Sequence, residues 1–342
     1  MEKQKIYSAT ITGLGRIGFS LGQDEKREQP ASHTMAILGN KRLSLVAGAD
    51  IDAEKRENWR SFVVQKNKKV CAFDSSSAMF SKIHPEIAVV SVNESAHLEE
   101  CLRAIEAKPR LVILEKPVAV NSKQAQKIRA VAKANDVPVM VNHERRFSAD
   151  YIAAKDFLPQ IGEIQMVRAE LCSGLRVWAK QFEESGEYSL IHDGTHLVDI
   201  VRFVLGAELF NPKVESVFKD DEGIVRNFTA RYETERIPEI LITMSGRSRF
   251  FSFGIDILGT LGRICVGNGY AKFYERTESK LYSGFYSLES KDIKLPKKTG
   301  YFSGMIQNAV DFLDGKADLK SPLEEAIADL VALEEIKKKL QK

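Results

Sequence analysis

The sequence predicts an α/β domain with a doubly wound parallel sheet, followed by an α+β domain whose open, mainly antiparallel sheet carries helices on one face. Three observations lead to this prediction. A glycine motif follows the first β-rich run, apolar runs without alternation recur between helical stretches up to residue 142, and apolar residues alternate at period two after Gly162. A chain of 342 residues exceeds one ordinary core, and we place the domains at residues 1–142 and 143–342.

The first domain is predicted from six strands that alternate with helices. The strands lack a polar face, which is typical of parallel strands that helices cover on both sides. We expect them at Ile6–Thr12, Leu43–Ala49, Val70–Phe73, Ile87–Val92, Leu111–Leu114 and Val137–Val141. Helices are expected from Ser75 to Lys82, up to Ala107, and from Ser122 to Ala134. Six strands with such crossovers make a complete doubly wound sheet.

The glycine motif, residues 13–18, joins the first strand to a helix-compatible stretch, as the dinucleotide-binding fingerprint of a Rossmann domain does. Gly13 is expected to make the tight turn, Gly15 to let the backbone approach a pyrophosphate, and Gly18 to let the helix pack on the strand. The helix N-terminus offers free N–H groups and a positive dipole to that anion. The predicted cofactor-binding residues of this turn are Gly13, Gly15, Arg16, Ile17 and Gly18.

An acidic residue that can hold the adenosine ribose follows the second strand, but it comes late. Asp50 lies 32 positions beyond Gly18, whereas the usual distance is roughly 20 positions. We attribute the excess to a polar insertion, Gln23–Ser32, which interrupts the first crossover before Thr34–Gly39 resumes it. A carboxylate here binds both ribose hydroxyls and repels a 2′-phosphate, so NAD is favoured, with NADP as the alternative. Asp52 is the second choice for this role, although it is better suited to cap the next helix.

The fifth predicted strand ends in two opposite charges and a ring, Glu115-Lys116-Pro117. A lysine at the carboxyl end of a buried parallel strand stands at the sheet edge where α/β domains bind their ligands. Pro117 ends the strand and restricts Lys116 to extended backbone angles. A surface ion pair at a strand end is the structural alternative.

The second domain is predicted from alternating runs with one polar face, which indicate antiparallel strands. They are Gly162–Leu171, Val214–Lys219, Val225–Tyr232, Pro238–Met244, Ser252–Ile257 and Arg263–Val266. Helices are expected near Ala149–Leu158, Leu190–Leu205, Met305–Leu313 and Pro322–Leu340. The sheet face without helices is expected to cover the nucleotide crevice or to pair with another subunit, and we expect a homodimer or homotetramer.

The densest polar cluster of the second domain is residues 192–196, His-Asp-Gly-Thr-His. Residues three apart share a helix face, so Asp193, His196 and Asp199 are expected to point together. An imidazole beside a carboxylate can move a proton near neutral pH. One alternative is a helix cap beside a satisfied core histidine. Another is a metal site from His192 and His196, for which no third ligand is apparent, and we predict no metal.

Composition and charge exclude several classes of partner. The net charge of +3 is small and spread along the chain, so we expect neither nucleic acid nor a membrane surface as a partner. No apolar stretch approaches the roughly 18 residues of a membrane span, and the first residues lack the apolar core of a signal peptide. The cysteines have no metal spacing and are expected to be buried thiols in a reducing cytoplasm. They are Cys71, Cys101, Cys172 and Cys265.

Four motifs occur in one order: the glycine motif, EKPVA from Glu115, the segment Asn142–Phe147, and DGTHLVD from Asp193. Together they resemble the Gfo/Idh/MocA family of glucose–fructose oxidoreductase and inositol dehydrogenase, over nearly the whole chain. The resemblance implies an NAD(P)-dependent dehydrogenase of sugars, cyclitols or their derivatives. It implies that Lys116 contacts the substrate hydroxyl and the nicotinamide ribose, that Glu115 lies by the cofactor, and that His196 is the catalytic acid or base.

The chain departs from the family pattern before His196. The family commonly has an Asp four residues before this His and a Gly two before it, and aligning Gly194 places His192 at the Asp position. Either Asp193 takes the role of the Asp with a shifted reach, or His192 takes it, or the chemistry is altered. The loop after the fourth strand also lacks the family's proline. Weaker candidates are Asn93 and His97 for the cofactor, and Arg145, Arg146, Arg176 and Trp178 for the substrate pocket.

The leading hypothesis is hydride transfer between nicotinamide and a carbinol carbon of a polyhydroxylated substrate. His196 would take the hydroxyl proton, and Lys116 would stabilise the developing alkoxide or relay the proton. One alternative is a lyase or glycosidase that oxidises its substrate transiently with tightly held NAD. Another is a non-catalytic, NAD-binding regulatory protein, which we would expect to lack Lys116 or His196.

Overall fold

The computed structural model describes residues 4–66, 69–173 and 188–341. The chain divides into two compact units, Met1–Phe147 with Lys298–Ile327, and Ser148–Lys297 with Ala328–Lys342. The prediction of a continuous second domain from residue 143 does not anticipate the return of Lys298–Ile327 to the first unit. The described helices are α1 (His33–Gly39), α2 (Ala53–Gln65), α3 (Ser76–Phe80), α4 (His97–Glu106), α5 (Ser122–Asn135), α6 (Ala149–Phe157), α7 (Gly194–Leu205), α8 (Tyr301–Leu313) and α9 (Leu323–Leu340).

The first unit is built on a six-stranded parallel sheet. Its strands are β1 (Tyr7–Thr12), β2 (Leu43–Ala49), β3 (Cys71–Phe73), β4 (Ile87–Val90), β5 (Leu111–Leu114) and β6 (Val139–Val141), in the order β3-β2-β1-β4-β5-β6. This is the doubly wound order, and it confirms the predicted Rossmann sheet. Every residue of β4 and β5 is fully buried, as their unbroken apolar runs predict. The order reverses between β1 and β4, and the carboxyl ends of these strands frame the crevice where such sheets bind ligands.

The polar insertion splits the first crossover. Only one helical turn follows the glycine motif before the insertion, as the predicted interruption of the first crossover implies. The N–H groups of His33 and Thr34 donate to the carbonyls of Ile17 and Gly18, at 3.1 and 3.0 Å. Helix α1 therefore continues the hydrogen bonding of that turn across the insertion, because a helical carbonyl needs a partner in the next turn and not a particular position in sequence. The predicted restart at Thr34–Gly39 is confirmed to within one residue.

Helix α8 belongs to the core of the first unit. One face of it is buried in the same apolar cluster as residues of β1, β2 and α1. The members of the cluster that α8 supplies are Phe302, Met305, Ile306, Ala309, Val310 and Leu313. Their spacing of three and four predicts an amphipathic helix, but periodicity does not say which sheet the apolar face meets.

The insertion is fastened to the N-terminus of α8. The carboxylate of Glu28 accepts the N–H groups of Thr299 at 2.8 Å and Gly300 at 2.6 Å, and the Tyr301 hydroxyl donates to the Glu28 carbonyl at 3.1 Å. A carboxylate at a helix N-terminus satisfies N–H groups that lack a helical partner and complements the helix dipole. The insertion is therefore tied to the segment that returns from the far end of the chain.

The second unit is built on an eight-stranded sheet in the order β14-β13-β12-β11-β7-β10-β9-β8. Its strands are β7 (Ile164–Cys172), β8 (Lys213–Lys219), β9 (Val225–Tyr232), β10 (Ile240–Ser245), β11 (Ser252–Gly259), β12 (Gly262–Gly267), β13 (Tyr270–Glu278) and β14 (Tyr286–Lys291). All neighbours pair antiparallel except β7 and β10, which confirms a mainly antiparallel sheet. Helix α6 packs on β12 and β13, and α7 packs on β7 and β10.

The cysteines are all free, and only Cys101 is buried. Cys71 is exposed at the edge strand β3, and Cys172 and Cys265 are half-buried on the less covered face of their strands. The expectation of four buried thiols is therefore wrong for three of them. Residues at a sheet edge or on an open sheet face stay partly exposed even when their neighbours in the sequence are apolar. Among the described residues no helix combines the length and the apolar character needed to cross a bilayer.

Candidate functional site

The glycine turn after β1 is shaped by close backbone contacts. Gly13 has a φ of +91°, and a Cβ atom there would lie 2.5 Å from the carbonyl oxygen of Ser91. A Cβ at Gly18 would overlap the carbonyl oxygen of Gly13. Gly15 differs, since none of the described atoms lies within 4 Å of its Cβ position. Gly13 and Gly18 are required by packing, whereas Gly15 borders open space, as expected if a ligand approaches the backbone there.

The Asp50 carboxylate at the end of β2 is tied to that turn. Its Oδ2 accepts the N–H of Leu14 at 2.8 Å, and its Oδ1 accepts the N–H of Asp52 at 2.9 Å. Asp52 itself caps α2 by accepting from Glu54 and Lys55, and the bond from Lys55 contributes most to lowering the pKa of this carboxyl. Asp52 is thus a cap, which leaves Asp50 as the acidic group beside the glycine turn.

Ile51, which follows Asp50, was not among the predicted site residues. Its side chain is 91% exposed, the largest exposed fraction among the large apolar residues described. A largely exposed isoleucine next to a candidate ribose ligand offers an apolar surface to a flat base. The sequence shows only that an apolar residue follows the acid expected to bind the ribose. That this residue is exposed is seen only in the structure.

Glu115 and Lys116 stand at the end of β5, and Glu115 is buried. Its Oε1 lies 2.6 Å from His33 Nε2 and accepts the side-chain amide of Asn142 at 2.6 Å. Burial works to raise the pKa of Glu115, but the hydrogen bond and charge of His33, the Asn142 amide and the charge of Lys116 together bring it below its ordinary value. Glu115 is therefore an ionised, internally held carboxylate and not the exposed half of a surface pair.

His33 and Asn142 were missed as partners of Glu115. Asn142 stood out in the sequence only as the end of the first domain and the start of a motif. His33 carried no signal, because it follows a polar insertion and lies 82 positions from Glu115. Only the fold brings the split crossover to the end of β5.

His97 holds the loop on the other side of Lys116. It is buried, with Nδ1 2.7 Å from the Pro117 carbonyl oxygen and Nε2 3.1 Å from that of Val92. Burial lowers the pKa of this imidazole, against the effect of both carbonyls. Because both nitrogens face carbonyl oxygens, His97 is placed to join two loops, and the weak expectation that it contacts the cofactor finds no geometric support. Asn93 is exposed in the same loop.

The arginines proposed for the substrate pocket have other partners. Arg146 is buried, donates to the Lys320 carbonyl at 3.0 Å and pairs with Glu325 at 3.0 Å, so these contacts hold it within the first unit. It anchors the segment that returns to the first unit. Arg145 lies 3.5 Å from Glu144, whose pKa is raised by burial against the opposing charge of Arg145. Arg176 and Trp178 lie outside the described residues.

The second unit carries the predicted acid–base residues at the start of α7. Asp193 is the residue before the helix and makes no side-chain capping bond, so the alternative of a cap at Asp193 is not what the structure has. His192, Asp193 and His196 are half-buried, whereas Asp199 is buried. Gly194 is needed for packing, because a Cβ there would lie 2.8 Å from Met244 Cε on β10. The catalytic roles of Asp193 and His196 stay predictions.

Residues 9–143 match the model of an oxidoreductase family with an NAD-binding Rossmann fold, GFO_IDH_MocA. The chain is 28% identical over 218 residues to a candidate UDP-kanosamine synthase oxidoreductase subunit of Amycolatopsis mediterranei (strain S699), which covers 62% of this chain and 55% of that protein. It is 29% identical over 170 residues to D-apiose dehydrogenase of Rhizobium rhizogenes, which covers 46% of this chain and 48% of that protein. The matches thus span about half the length of these relatives.

Solved structures share the fold over nearly the whole chain. An oxidoreductase from Agrobacterium radiobacter in complex with NAD⁺, L-tartaric acid and magnesium has a TM-score of 0.75 at 17% identity, and the match covers 98% of this chain and 96% of that one. The transcriptional regulator Gal80p of Kluyveromyces lactis has a TM-score of 0.80 at 16% identity, covering 99% and 90%. At these identities the likeness is one of fold. The match to the Gfo/Idh/MocA oxidoreductase family therefore lies in the NAD-binding Rossmann domain, residues 9–143.

Proposed function

We propose that this protein is an NAD-dependent dehydrogenase that moves a hydride between nicotinamide and a hydroxyl-bearing carbon of a sugar, cyclitol or sugar derivative. One observation carries the proposal: the carboxyl edge of a single parallel sheet holds both the open turn at Gly15 and the internally held Glu115 beside Lys116. A purely structural turn needs no open space at Gly15, and a surface ion pair does not bury its carboxylate. The name of the relative D-apiose dehydrogenase supports a sugar as substrate.

The residues of the first unit fit a dinucleotide. When bound, the nicotinamide ring supplies the hydride acceptor or donor. Backbone N–H groups of residues 13–18 would hold the pyrophosphate, Arg16 and Ile17 among them, and Asp50 would hold the adenosine ribose. Glu115 would stand by the nicotinamide end.

Preference for NAD over NADP is assigned to Asp50, because a carboxylate repels a 2′-phosphate. Asp50→Ser should relax discrimination against NADP in a fluorescence titration of both cofactors. Asp52→Ser, which removes the neighbouring carboxylate but keeps a side chain that can cap α2, should leave that ratio unchanged. Tighter binding of NADP than of NAD by the unaltered protein would contradict the assignment.

The handling of the hydroxyl proton is assigned to Lys116, to His196 and to one residue that orients His196. Lys116, as a cation, stabilises negative charge on the reacting oxygen, and His196 accepts the hydroxyl proton, with Asp193 or His192 orienting its ring. These assignments rest on residue type, on the strand end that presents Lys116 and on the family resemblance.

The test is to mix the protein with NAD and a panel of polyols and sugars, including D-apiose and a nucleotide sugar, and to follow NADH absorbance. Lys116→Met and His196→Asn should each lower turnover roughly 10²–10⁴-fold, while NAD binding changes little. Because residues that act on one proton fail as a unit, the double variant should be little worse than the poorer single one. Lys123→Met, at an exposed position of α5, is the matched control. Turnover that survives Lys116→Met within a few-fold would remove Lys116 from the mechanism.

A regulatory protein is the second candidate, because Gal80p has the same fold. It would bind NAD without turning over any polyol, and Lys116→Met would then leave its regulatory activity unchanged. A lyase or glycosidase that uses NAD transiently would consume substrate without net NADH. The same assay, with product analysis, separates the three.

We further infer that the protein forms a dimer or tetramer through the open face of the second sheet. Large apolar side chains are exposed at its β14 end: Leu281, Tyr282, Phe285, Tyr286 and Leu288. Such a patch on one unit favours association. Light scattering that reports a monomer at micromolar concentration would contradict this.

We also infer that the protein works in a reducing cytoplasm. All four cysteines are free thiols, and Cys71 is exposed. Location of a fluorescent fusion in the source cell would test it.

A further inference from the structure

Glu115 and Lys116 leave β5 into different environments. The Glu115 side chain is 6% exposed, whereas Lys116 is half-buried. A buried carboxylate is costly unless hydrogen bonds or an opposite charge compensate it. Both hydrogen-bond partners of this carboxylate among the described residues, His33 Nε2 and Asn142 Nδ2, meet the same oxygen at 2.6 Å. The direction of the Glu115 side chain is therefore set by these two partners.

His33 also contacts the glycine turn and α8. Its backbone N–H donates to the Ile17 carbonyl at 3.1 Å, inside the cofactor-binding motif. Its ring meets Phe302 edge-on, with the centroids 5.2 Å apart and the planes at 83°. Nδ1 is buried and has no hydrogen-bond partner among the described residues, so the only hydrogen bond seen for the ring is the one to Glu115. Phe302 and Glu115 together fix the ring in one orientation.

We propose that His33 is a positioning residue that connects the cofactor-binding turn to Lys116 through Glu115. One residue contacts the glycine motif with its backbone and the carboxylate beside Lys116 with its side chain. The proposal rests on the proposed function in one respect, which is that Lys116 takes part in the reaction. It assigns a role to the insertion as well, because the insertion ends at Ser32 and delivers His33 to this place.

The charges around Glu115 determine how the loss of His33 changes the pKa of this carboxyl. His33, Lys116, His97 and Glu144 all interact electrostatically with this carboxylate. Burial favours the neutral acid, while His33, Asn142 and Lys116 favour the carboxylate. Without His33, the effect of burial on the pKa of Glu115 is opposed less strongly. Glu115 should therefore take up a proton at a higher pH than in the unaltered protein. The negative charge beside Lys116 is then lost over a wider range of acid pH.

The decisive variants are His33→Leu and His33→Gln. Leucine removes the donor, whereas the amide of glutamine reaches about where Nε2 stands and still donates to Glu115. His33→Leu should lower kcat on the order of 10²-fold, as a displaced catalytic group does, with KM and Kd for NAD changed only a few-fold. His33→Gln should recover about tenfold of that loss, the worth of one hydrogen bond. The acid limb of the kcat/KM profile should move to higher pH in His33→Leu and less in His33→Gln.

His84→Leu is the control, since His84 is exposed in the same unit. If His33→Leu keeps both kcat and the acid limb of the unaltered protein, the proposal is overturned. If His33→Leu does not fold, His33→Gln carries the test, because its acid limb must still move. An unmoved limb in that variant, together with a full loss of kcat, would also overturn the proposal.

A readout without turnover separates this proposal from the proposed function. The lysines are reductively methylated with isotope-labelled formaldehyde and a borane reductant, and the NMR resonance of Lys116 is assigned with Lys116→Arg. In His33→Leu the resonance should move towards those of exposed lysines, and in His33→Gln it should stay near its original position. If no substrate is turned over but the resonance moves, the function fails and the positioning role stands. If turnover is found but the Lys116 resonance does not move in His33→Leu, the positioning role is overturned and the proposed function stands.

Discussion

Each unit contains a buried carboxylate that faces a nitrogen-bearing side chain, and the two pairs are built differently. In the first unit His33 faces Glu115 at 2.6 Å, with side chains 0% and 6% exposed. In the second unit Arg202 faces Asp329 at 2.6 Å, with side chains 2% and 0% exposed. Arg202 also binds both carboxylate oxygens of Glu208, at 2.7 and 2.8 Å, and Glu208 is half-exposed. The two carboxylates are buried to a similar extent, but the groups that face them differ.

The difference lies in the groups that hold each carboxylate. A guanidinium is always charged in proteins, so the Arg202 pair is a permanent link between α7 and α9. The Glu115 carboxylate is held instead by an imidazole and an amide, and it stands next to Lys116. A permanent ion pair therefore serves where only packing is needed, and a carboxylate held by uncharged or variable donors stands at the edge where we place the chemistry. The predictions that follow test this contrast.

The largest effect is expected for Arg202→Met. The change leaves Asp329 buried without its main charge partner, which should lower the free energy of unfolding by about 3–5 kcal/mol. Glu208→Gln removes only the half-exposed partner and should cost about 0–1 kcal/mol. Urea unfolding of both variants measures this. Equal effects of the two substitutions would show that burial of the Arg202–Asp329 pair does not matter.

A smaller and pH-dependent effect is expected for His33→Leu on stability. At neutral pH it should cost about 1–3 kcal/mol, the desolvation penalty of an under-satisfied buried group. The pKa of Glu115 is lowered in the folded protein, so its stabilisation is present above the pKa of an unfolded glutamate and is lost as the pH falls through the folded value. The difference between unaltered and variant protein should thus shrink in acid. A difference that is constant from neutral to acid pH in urea titrations would argue against an ionised Glu115.

The smallest effect is expected for Glu28→Gln, which weakens the link between the insertion and α8. The N–H groups of Thr299 and Gly300 keep an oxygen partner but lose the carboxylate charge at the helix N-terminus, so the cost should be about 0.3–1 kcal/mol. Glu25→Gln, at an exposed position of the same insertion, should have no effect. Thermal unfolding compares the two. A loss for Glu28→Gln as large as that for Arg202→Met would mean that the insertion holds the whole first unit together.

Much of the first unit could be predicted because its signals are local. Strand β2 spans Leu43–Ala49 as predicted, and Asp52 caps α2 as predicted. In the second unit β13 and β14 were missed, since most of their residues are exposed and give no alternating pattern. Of the site residues, Asp50 lies against the glycine turn as expected, but Arg146 is an internal anchor. Two adjacent arginines in a loop look alike in sequence, and only packing tells which one is buried.

The sequence by itself determined the doubly wound sheet, the glycine turn and the place of Lys116 at a strand end, because hydrophobic periodicity and turn chemistry act within a few residues. Only the tertiary structure decided that residues 298–327 complete the first unit, that α1 continues a turn broken by an insertion, and that His33 meets Glu115 across 82 positions. The physical reason is that a buried polar group requires a partner but does not specify where in the chain that partner comes from.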